Sequence, residues 1–449
     1  VPVLGPRTAM VQLIAKHKVN DVIIAMPSAP RSVMREVFEQ LRGIPGVSVR
    51  TVPTLYDIVT GKVTIGPPRP VDVVDLLGRD PVKINMAEVA AYLHNRRVMV
   101  TGAGGSIGSE LCRQIASYAP SVLILLDHDE NGIFDIQHEL RSRYPQVKFK
   151  SVIADIRDRV KMGRVFDAER PEVVFHAAAH KHVPFMEDNP EEAVKTNVFG
   201  TQNVAEAALA HGVERFVLIS TDKAVNPTSV MGTTKRVAEL VVQDLNRAGK
   251  TRFMAVRFGN VLGSRGSVVP LFQKQIAMGG PVTVTDPEMT RYFMTIPEAV
   301  QLVMQAAAIG NGGEVFVLDM GEPVKIMDLA RTLIRLNGLE PDRDIQIVIT
   351  GRRPGEKLYE EVLTAEEGTE ATKHDRIFAA RVRMPDPLVF ARQLKELEQV
   401  TFGGDHALIV DKLVQLVPSF EPEAMRRATA AQYSGRSSLR EVAVSAQEG

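Results

Sequence analysis

The sequence predicts an α/β protein: a Rossmann-type doubly wound parallel sheet with a smaller C-terminal substrate-binding lobe, preceded by a small α/β N-terminal region. Three observations predict it. Short β-branched runs alternate with helical-period segments along most of the chain, the cadence of βαβ units. The runs are almost continuously apolar, the pattern of strands buried on both faces. One of them, "RRVMVTG", feeds directly into "AGGSIGSELCRQI", the strand, glycine turn and helix that receive a dinucleotide.

In chain order the strand-like runs are "DVIIAMP", "RRVMVTG", "SVLILLD", "VKFKSVIAD", "EVVFHAAA", "RFVLIST", "FMAVRFGNV", "EVFVLDM" and "IQIVIT". Residues 1–60 read as a partial α/β domain. "GKVTIGPPRPVDVVDLLGRDPVKI", Gly61 to Ile84, is rich in proline and glycine and reads as a linker, so that 61–94 is linker and lead-in helix. Residues 95–385 read as the main domain. From about Asp386 the pattern turns helical ("LVFARQLKELEQV", "HALIVDKLVQLV"), and 386–449 ends in the polar "SGRSSLREVAVSAQEG".

The 449 residues supply material for two or three domains. Hydrophobic residues make up 45% and charged residues 24%, the balance of an ordinary globular protein. Lys plus Arg equals Asp plus Glu at 54 each, so no overall basic field invites nucleic acid. The single cysteine, Cys112, excludes an internal disulfide and fits a reducing compartment. No apolar stretch approaches the ~18 residues needed to span a bilayer, and no signal peptide is visible. The opening "VPVLGPRTAM" reads as a domain entered part-way, so any membrane anchor would belong to a segment ahead of Val1.

Gly102, Gly105 and Gly108 have the spacing T-G-x-x-G-x-x-G, with Ser106 and Ile107 between the last two. Glycines there permit a tight turn and let backbone N–H groups approach a pyrophosphate at a helix N-terminus. The next run, "SVLILLD", ends in Asp127. A carboxylate at that point accepts bonds from an adenosine ribose diol and repels a 2′-phosphate, which favours NAD over NADP. The alternative for Asp127 is a helix cap, because "DHDENG" leads into another helical stretch. The following strand ends "VIADIRD", which sets Asp155 and Ile156 beside the adenine. In "HAAAHKH", Ala177, Ala178 and Ala179 let a dinucleotide approach closely, and His180, Lys181 and His182 face the cleft. Two histidines without a third ligand at sensible spacing argue against a metal.

Beyond this point the sequence resembles the extended short-chain dehydrogenase/reductases that act on nucleotide sugars. The likeness is carried by "VVFHAAAHKHVPFMEDNPEEAVKTNVFGTQNV", "FVLISTDKAVNPTSVMGTTKRVAE", "VRFGNVLGSRGSVVPLFQKQI", "MTRYFMTIPEA" and "GRRPGEKLYEE", across roughly Arg96 to Leu363. More narrowly, it resembles the UDP-N-acetylglucosamine 4,6-dehydratases of the membrane-associated polysaccharide-biosynthesis branch, in their large, membrane-anchored form. The resemblance implies bound NAD, a UDP-sugar substrate and a homo-oligomer. It also implies transmembrane helices upstream of a soluble truncation, with the intact protein at the cytoplasmic face of the inner membrane. The implied reaction has no net redox change: hydride leaves sugar C4, water is eliminated across C5 and C6, and the hydride returns to C6.

"STDKAVNPTSVMGTTK", Ser220 to Lys235, departs from that family at one place. Met231, four before Lys235, stands where a tyrosine ordinarily acts as base. A thioether neither gives nor takes a proton. The strand end supplies Thr221, Asp222 and Lys223 instead, at the sheet edge where ligands bind. An acid beside an amine suits elimination, since each shifts the other toward its task. The resemblance gives Asp222 the protonation of the departing 6-hydroxyl and Lys223 the C5 proton. We further expect Asp222, relayed through Thr221, to take the C4 hydroxyl proton. Ser220 and Lys235 match family positions, with Lys235 binding the nicotinamide ribose. Met231 is expected to be a gap-filling apolar side chain, and Asn197 matches a position that orients backbone around the site.

For the diphosphate, Arg265, Arg291 and the Arg352–Arg353 pair are candidates, because guanidinium forks match phosphate oxygens. Lys181 and His182 are placed to touch the sugar, Asn260 and Gln273 to read sugar and uracil, and Glu356 to hold a ribose hydroxyl or an arginine. Each alone also fits a surface charge or helix pair. Two rivals remain. A UDP-sugar 4-epimerase shares the first hydride step but needs no group to expel the 6-hydroxyl. A non-catalytic NAD-binding scaffold leaves Asp222 and Lys223 without a task.

Overall fold

The computed structural model describes residues 2–26, 29, 31–41, 44, 46–52, 68–77, 82, 84–362 and 368–422. Residues 61–67, 78–81 and 83 of the expected linker, and the polar end 434–449, lie outside the described residues. The chain divides into two compact units that interleave in sequence. The larger comprises Ile84–Gly259, Ala299–Met320 and Gly351–Gly449; the smaller comprises Val1–Lys83, Asn260–Glu298 and Gly321–Thr350.

Among the described residues of the larger unit, nine strands form one sheet. They are β1 (Arg97–Thr101), β2 (Val122–Asp127), β3 (Phe149–Ile153), β4 (Val173–His176), β5 (Arg215–Thr221), β6 (Arg252–Phe258), β7 (Val315–Leu318), β8 (Thr369–Ala371) and β9 (Ile377–Ala380). The spatial order is β8-β9-β7-β6-β5-β4-β1-β2-β3. Strands β1 to β7 run parallel, while β9 and β8 are added antiparallel at one edge. This is the Rossmann-type doubly wound sheet. The winding reverses between β1 and β4, which opens a crevice at their carboxyl ends.

Helices cover the sheet because its strands are apolar on both faces. Strand β2 is buried at every position. Met162, Phe166 and Val204 from helices pack with Ile124, Leu126, Val174, Phe216 and Phe253 from strands. Helix Val230–Asn246 is buried along two sides. Its Ala238 and Val242 join that sheet cluster. Its Met231, Val237, Leu240 and Val241 join a second cluster with Val194 and Val198 and with Phe390, Leu394, Ile409 and Leu413. The last four come from helices Pro387–Gly403 and His406–Leu416, capped by Asp386 and Asp405.

The smaller unit holds a three-stranded sheet, Asp21–Ile24 parallel to Ser48–Thr51, with Arg69–Pro70 antiparallel beside it. Ile14, Ile24, Phe38, Leu41 and Leu76 form its apolar cluster. Two-stranded ladders pair Asn260–Val261 with Phe293–Met294, Val282–Val284 with Ile347–Ile349, and Thr290–Arg291 with Val324–Lys325.

Three runs expected to be doubly buried are not. Asp21–Ile24 buries only Ile24. Strand β3 lies at the sheet edge with no position fully buried. Ile347–Ile349 sits in a two-stranded ladder with Val348 and Ile349 exposed. Edge and two-stranded positions lack a covering layer on one side, which apolar composition alone does not reveal. Among the described residues no helix is long and apolar enough to cross a membrane.

Candidate active site

The backbone leaves β1 at Gly102, with φ at +69°. A Cβ there would lie 2.6 Å from the Ala178 amide nitrogen, so only glycine lets this turn lie against the end of β4. Gly105 occupies the N-cap position of helix Ser106–Ala116, whose first turn holds Ser106, Ile107 and Gly108. The N–H groups of a first helical turn have no carbonyl within the helix to meet, so such a turn makes an anion-binding end. Asp127 is buried at the end of β2. Its Oδ2 accepts from the Gly104 N–H at 2.9 Å and its Oδ1 from the Asp129 N–H at 3.1 Å. The cap of helix Glu130–Arg143 is Asp129, which accepts from the Asn131 N–H.

Asp155 accepts from the Arg157 side chain at 2.9 and 2.6 Å and from its backbone N–H at 2.9 Å. Burial alone would raise the Asp155 carboxyl, but these bonds hold it below its ordinary value. Ile156 is buried, and its carbonyl accepts from Asn203 Nδ2. Ala177 and Ala178 are half-buried and Ala179 is exposed. Asn197 lies in the π-helical stretch Val194–Gly200, a widened turn frequent at functional sites. Its Oδ1 accepts from the His180 N–H at 2.8 Å, and its Nδ2 donates to the His180 carbonyl and Thr234 Oγ1, each at 3.0 Å. One buried amide therefore ties the loop after β4 to helix Val230–Asn246. In that loop Lys181 is exposed, while His182 meets the Phe185 ring edge-on.

Strand β5 ends at Thr221, and Asp222–Ala224 forms a single 3-10 turn. Thr221 Oγ1 and Lys223 Nζ both reach Asp222 Oδ1 at 2.9 Å. Asp222 Oδ2 is buried and has no hydrogen-bond partner among the described residues, an acceptor held open in the interior. Lys223 Nζ also lies 3.6 Å from Glu360 Oε1. A Cβ on Gly232 would collide with the Lys223 carbonyl oxygen, so glycine lets the start of helix Val230–Asn246 rest directly on this turn.

Lys235 Nζ donates to the Ile219 carbonyl at 2.7 Å. Burial lowers its pKa to about 8, against the opposing charge of Glu239. Met231 is buried in the apolar cluster with Val194, Val198 and Met186. Ser220 turns to the interior, where its hydroxyl donates to Glu239 Oε1 at 2.6 Å. The same Glu239 receives the Arg257 fork at 2.8 and 2.7 Å and Arg236 at 3.0 Å. Burial would push Glu239 up, but Arg257, Arg236 and Ser220 together bring it down to about 2.

The "GRRPGEKLYEE" loop docks on the segment after β5. Thr228 Oγ1 donates to the Gly355 carbonyl at 2.9 Å, Lys357 Nζ to the Val225 carbonyl at 2.9 Å, and Asn226 Nδ2 to Glu361 at 2.8 Å. Arg352 is exposed, and Glu356 accepts from the Arg353 N–H at 3.1 Å. Asn260, Arg265, Gln273 and Arg291 belong to the smaller unit. There Arg291 is buried, with Nη1 donating to the Thr290 carbonyl; Asn260 is half-buried, and Arg265 and Gln273 are exposed.

Sequence reasoning missed three groups. His176 is fully buried at the end of β4, 2.7 and 2.9 Å from the Thr101 and Thr201 hydroxyls. Burial, then the charge of Lys235, lowers it to about 3, so it is neutral. Arg257 within the apolar "FMAVRF" was a readable signal, since a charge in a buried strand demands a partner. Glu360 stands beside Glu361, and sequence alone does not say which faces the site.

Residues 98–382, more than half of the chain, match the family described as polysaccharide biosynthesis protein. The chain belongs to this family. Over 373 residues it is 52% identical to the capsular polysaccharide biosynthesis protein CapD of Staphylococcus aureus, a match covering 83% of this chain and 62% of that relative. The chain thus spans about three-fifths of that relative's length. It is 35% identical to a UDP-N-acetylglucosamine 4,6-dehydratase (inverting) of Campylobacter jejuni, covering 64% of this chain and 83% of that protein. It is equally 35% identical to a UDP-glucose 4-epimerase of Rickettsia rickettsii, covering 62% and 80%. Among solved structures, Pen from Bacillus thuringiensis superposes with a TM-score of 0.59 at 34% identity, covering 68% of this chain and 99% of Pen.

Proposed function

We propose that this chain is the catalytic part of a UDP-N-acetylglucosamine 4,6-dehydratase that uses bound NAD in surface-polysaccharide biosynthesis. One observation carries the reading: Asp222 and Lys223 pair at the tip of β5 with Asp222 Oδ2 open, in a chain where Met231 replaces the phenol. The name of the Campylobacter relative supports the substrate.

The residues present fit a dinucleotide. The turn at Gly102 packs against the Ala177–Ala178 backbone so closely that only glycine fits, the helix at Ser106 directs its first-turn N–H groups toward a pyrophosphate, and Asp127 stands at the ribose-reading strand end. Asp155 and Ile156 border the adenine, Asn197 shapes the loop of Ala177–Ala179, and Lys235 holds the nicotinamide ribose. When bound, NAD supplies a hydride acceptor for sugar C4 and a donor for C6.

The protons are then handled by the chain. Asp222, as carboxylate, takes the O4 proton through Thr221 while the C4 hydride departs. The new 4-ketone acidifies C5, and Lys223, in its free-amine form, removes that proton. Asp222 gives its proton to the 6-hydroxyl, which leaves as water. Lys223 returns a proton to C5, and with the hydride that bound NAD would supply to C6 the net change is loss of one water. Within the larger unit, Arg352, Arg353 and Glu356 are our candidates for holding the UDP moiety, and Lys181 and His182 for the sugar. In the intact protein we assign the reaction to the cytoplasmic face of the membrane.

The Rickettsia relative keeps 4-epimerisation as the second reading. Incubation with UDP-N-acetylglucosamine and mass spectrometry separates the two. Loss of one water supports dehydration. Unchanged mass with inverted C4 means epimerase, and no turnover means a binding scaffold.

A further inference from the structure

We infer that Glu360 is a positioning residue for Lys223, delivered to the site by the loop that follows Gly351. The geometry stands by itself; the turnover readout below rests on the dehydratase reading.

A lysine has a flexible four-carbon stem whose charge is strongly hydrated, so one at a strand tip sweeps through solvent unless it is held. Lys223 is held by Asp222 Oδ1 at 2.9 Å and faces Glu360 Oε1 at 3.6 Å. The Glu360 side chain is only 3% exposed, and a carboxylate is rarely taken from water without a cation to meet it. The loop is fastened at Gly355, Lys357 and Glu361 to Thr228, Val225 and Asn226. None of those three fastenings touches a group assigned to proton transfer. Glu360 does, and it sits next to Glu361, whose partners are Lys357 and Asn226.

Without Glu360 the amine loses one of the contacts that aim it and spends less time directed at C5. Thr221 and Asp222 keep their own bond, so the first step, oxidation at C4, does not depend on Glu360. Loss of this carboxylate therefore separates the two halves of the reaction.

The test compares Glu360→Gln, Glu360→Asp and Glu361→Gln in the same chain with UDP-N-acetylglucosamine. In heavy water, Glu360→Gln is expected to lower C5 deuterium exchange and kcat by about 10²-fold, the scale of a mis-aimed catalytic group. Its KM stays within about twofold and reduced cofactor forms normally in a single turnover, as expected for loss of transition-state positioning alone. Glu360→Asp recovers part of the loss, and Glu361→Gln behaves like the unaltered chain. Equal losses in Glu360→Gln and Glu361→Gln would reduce the effect to loop docking and overturn the inference, as would normal exchange in Glu360→Gln. A second readout needs no turnover: reductive methylation of Lys223, followed by peptide mass spectrometry. Its rate is expected to rise about threefold or more in Glu360→Gln, the scale of a partly exposed ion pair. An unchanged rate overturns the inference, whereas absent dehydration by the unaltered chain overturns only the activity reading.

Discussion

Lys223 Nζ lies 2.9 Å from Asp222 Oδ1, a side-chain contact between residues adjacent in sequence. In a continuing strand the two would face opposite sides of the sheet. The turn Asp222–Ala224 ends that alternation and brings them together. One carboxylate oxygen is shared by Thr221 and Lys223, and the other has no hydrogen-bond partner among the described residues.

Asp222→Asn preserves this shape and removes the proton acceptor. Turnover is expected to fall by about 10²–10⁴-fold, and a single-turnover absorbance trace should show no bound reduced nicotinamide. Reduced cofactor appearing at the normal rate would take Asp222 out of the first step.

Lys235 has opposite pH consequences for stability and activity. Its folded value of about 8 lies below the ordinary 10.5. Between those values the unfolded chain binds more protons, so stability rises with pH across that window as the buried ammonium is neutralised. On the proposal that Lys235 holds the nicotinamide ribose, activity should fall over the same range as its charge is lost. Lys235→Arg keeps its charge and should lack the alkaline limb near pH 8 in a kcat/KM profile. A limb that persists would belong to another group.

The Glu239–Arg257 pair predicts an acid sensitivity. The folded Glu239 value of about 2 is below the ordinary 4.5, so its contribution is complete above pH 4.5 and lost as pH falls toward 2. The stability difference between the unaltered chain and Glu239→Gln, read from urea midpoints, should shrink over that window. Arg257→Met at neutral pH should cost about 3–5 kcal/mol, because a buried carboxylate loses its main partner.

Met231→Leu is close to volume-conserving and should cost less than about 1.5 kcal/mol. If Met231 only fills space, turnover should remain within about threefold, well short of the 10²-fold scale of lost acid–base chemistry. A large loss in steady-state kcat with normal thermal unfolding would give the thioether a chemical role.

Gly102→Ala should weaken NAD binding, measured by calorimetric titration. The backbone sits at φ +69° with Ala178 in the way, and an L-residue there stores about 1–3 kcal/mol of strain. Unchanged NAD affinity would place the pyrophosphate elsewhere.

The sheet and its cofactor crevice were legible because their signals are local. A glycine turn after an apolar run, an Asp at the next strand end and an Asp–Lys step each lie within a few residues of chain, where backbone geometry alone fixes what meets. Burial of β1, β2 and β4 was equally readable from composition. The edge position of β3 and the two-stranded fate of Ile347–Ile349 were not, since apolar content does not report how many neighbours a strand has.

By itself, then, the amino-acid order determined the doubly wound fold, the turn at Gly102 and the Thr221–Asp222–Lys223 tip, because periodicity and short-range sterics specify them. Only the tertiary structure decided that Ser220 belongs to the Arg257–Glu239 network, that Asn197 fastens the His180 backbone, and that Glu360 rather than its neighbour reaches Lys223. Those pairings join segments distant in sequence. Their geometry follows from how helices and loops pack on the sheet, and no repeat along the chain encodes it.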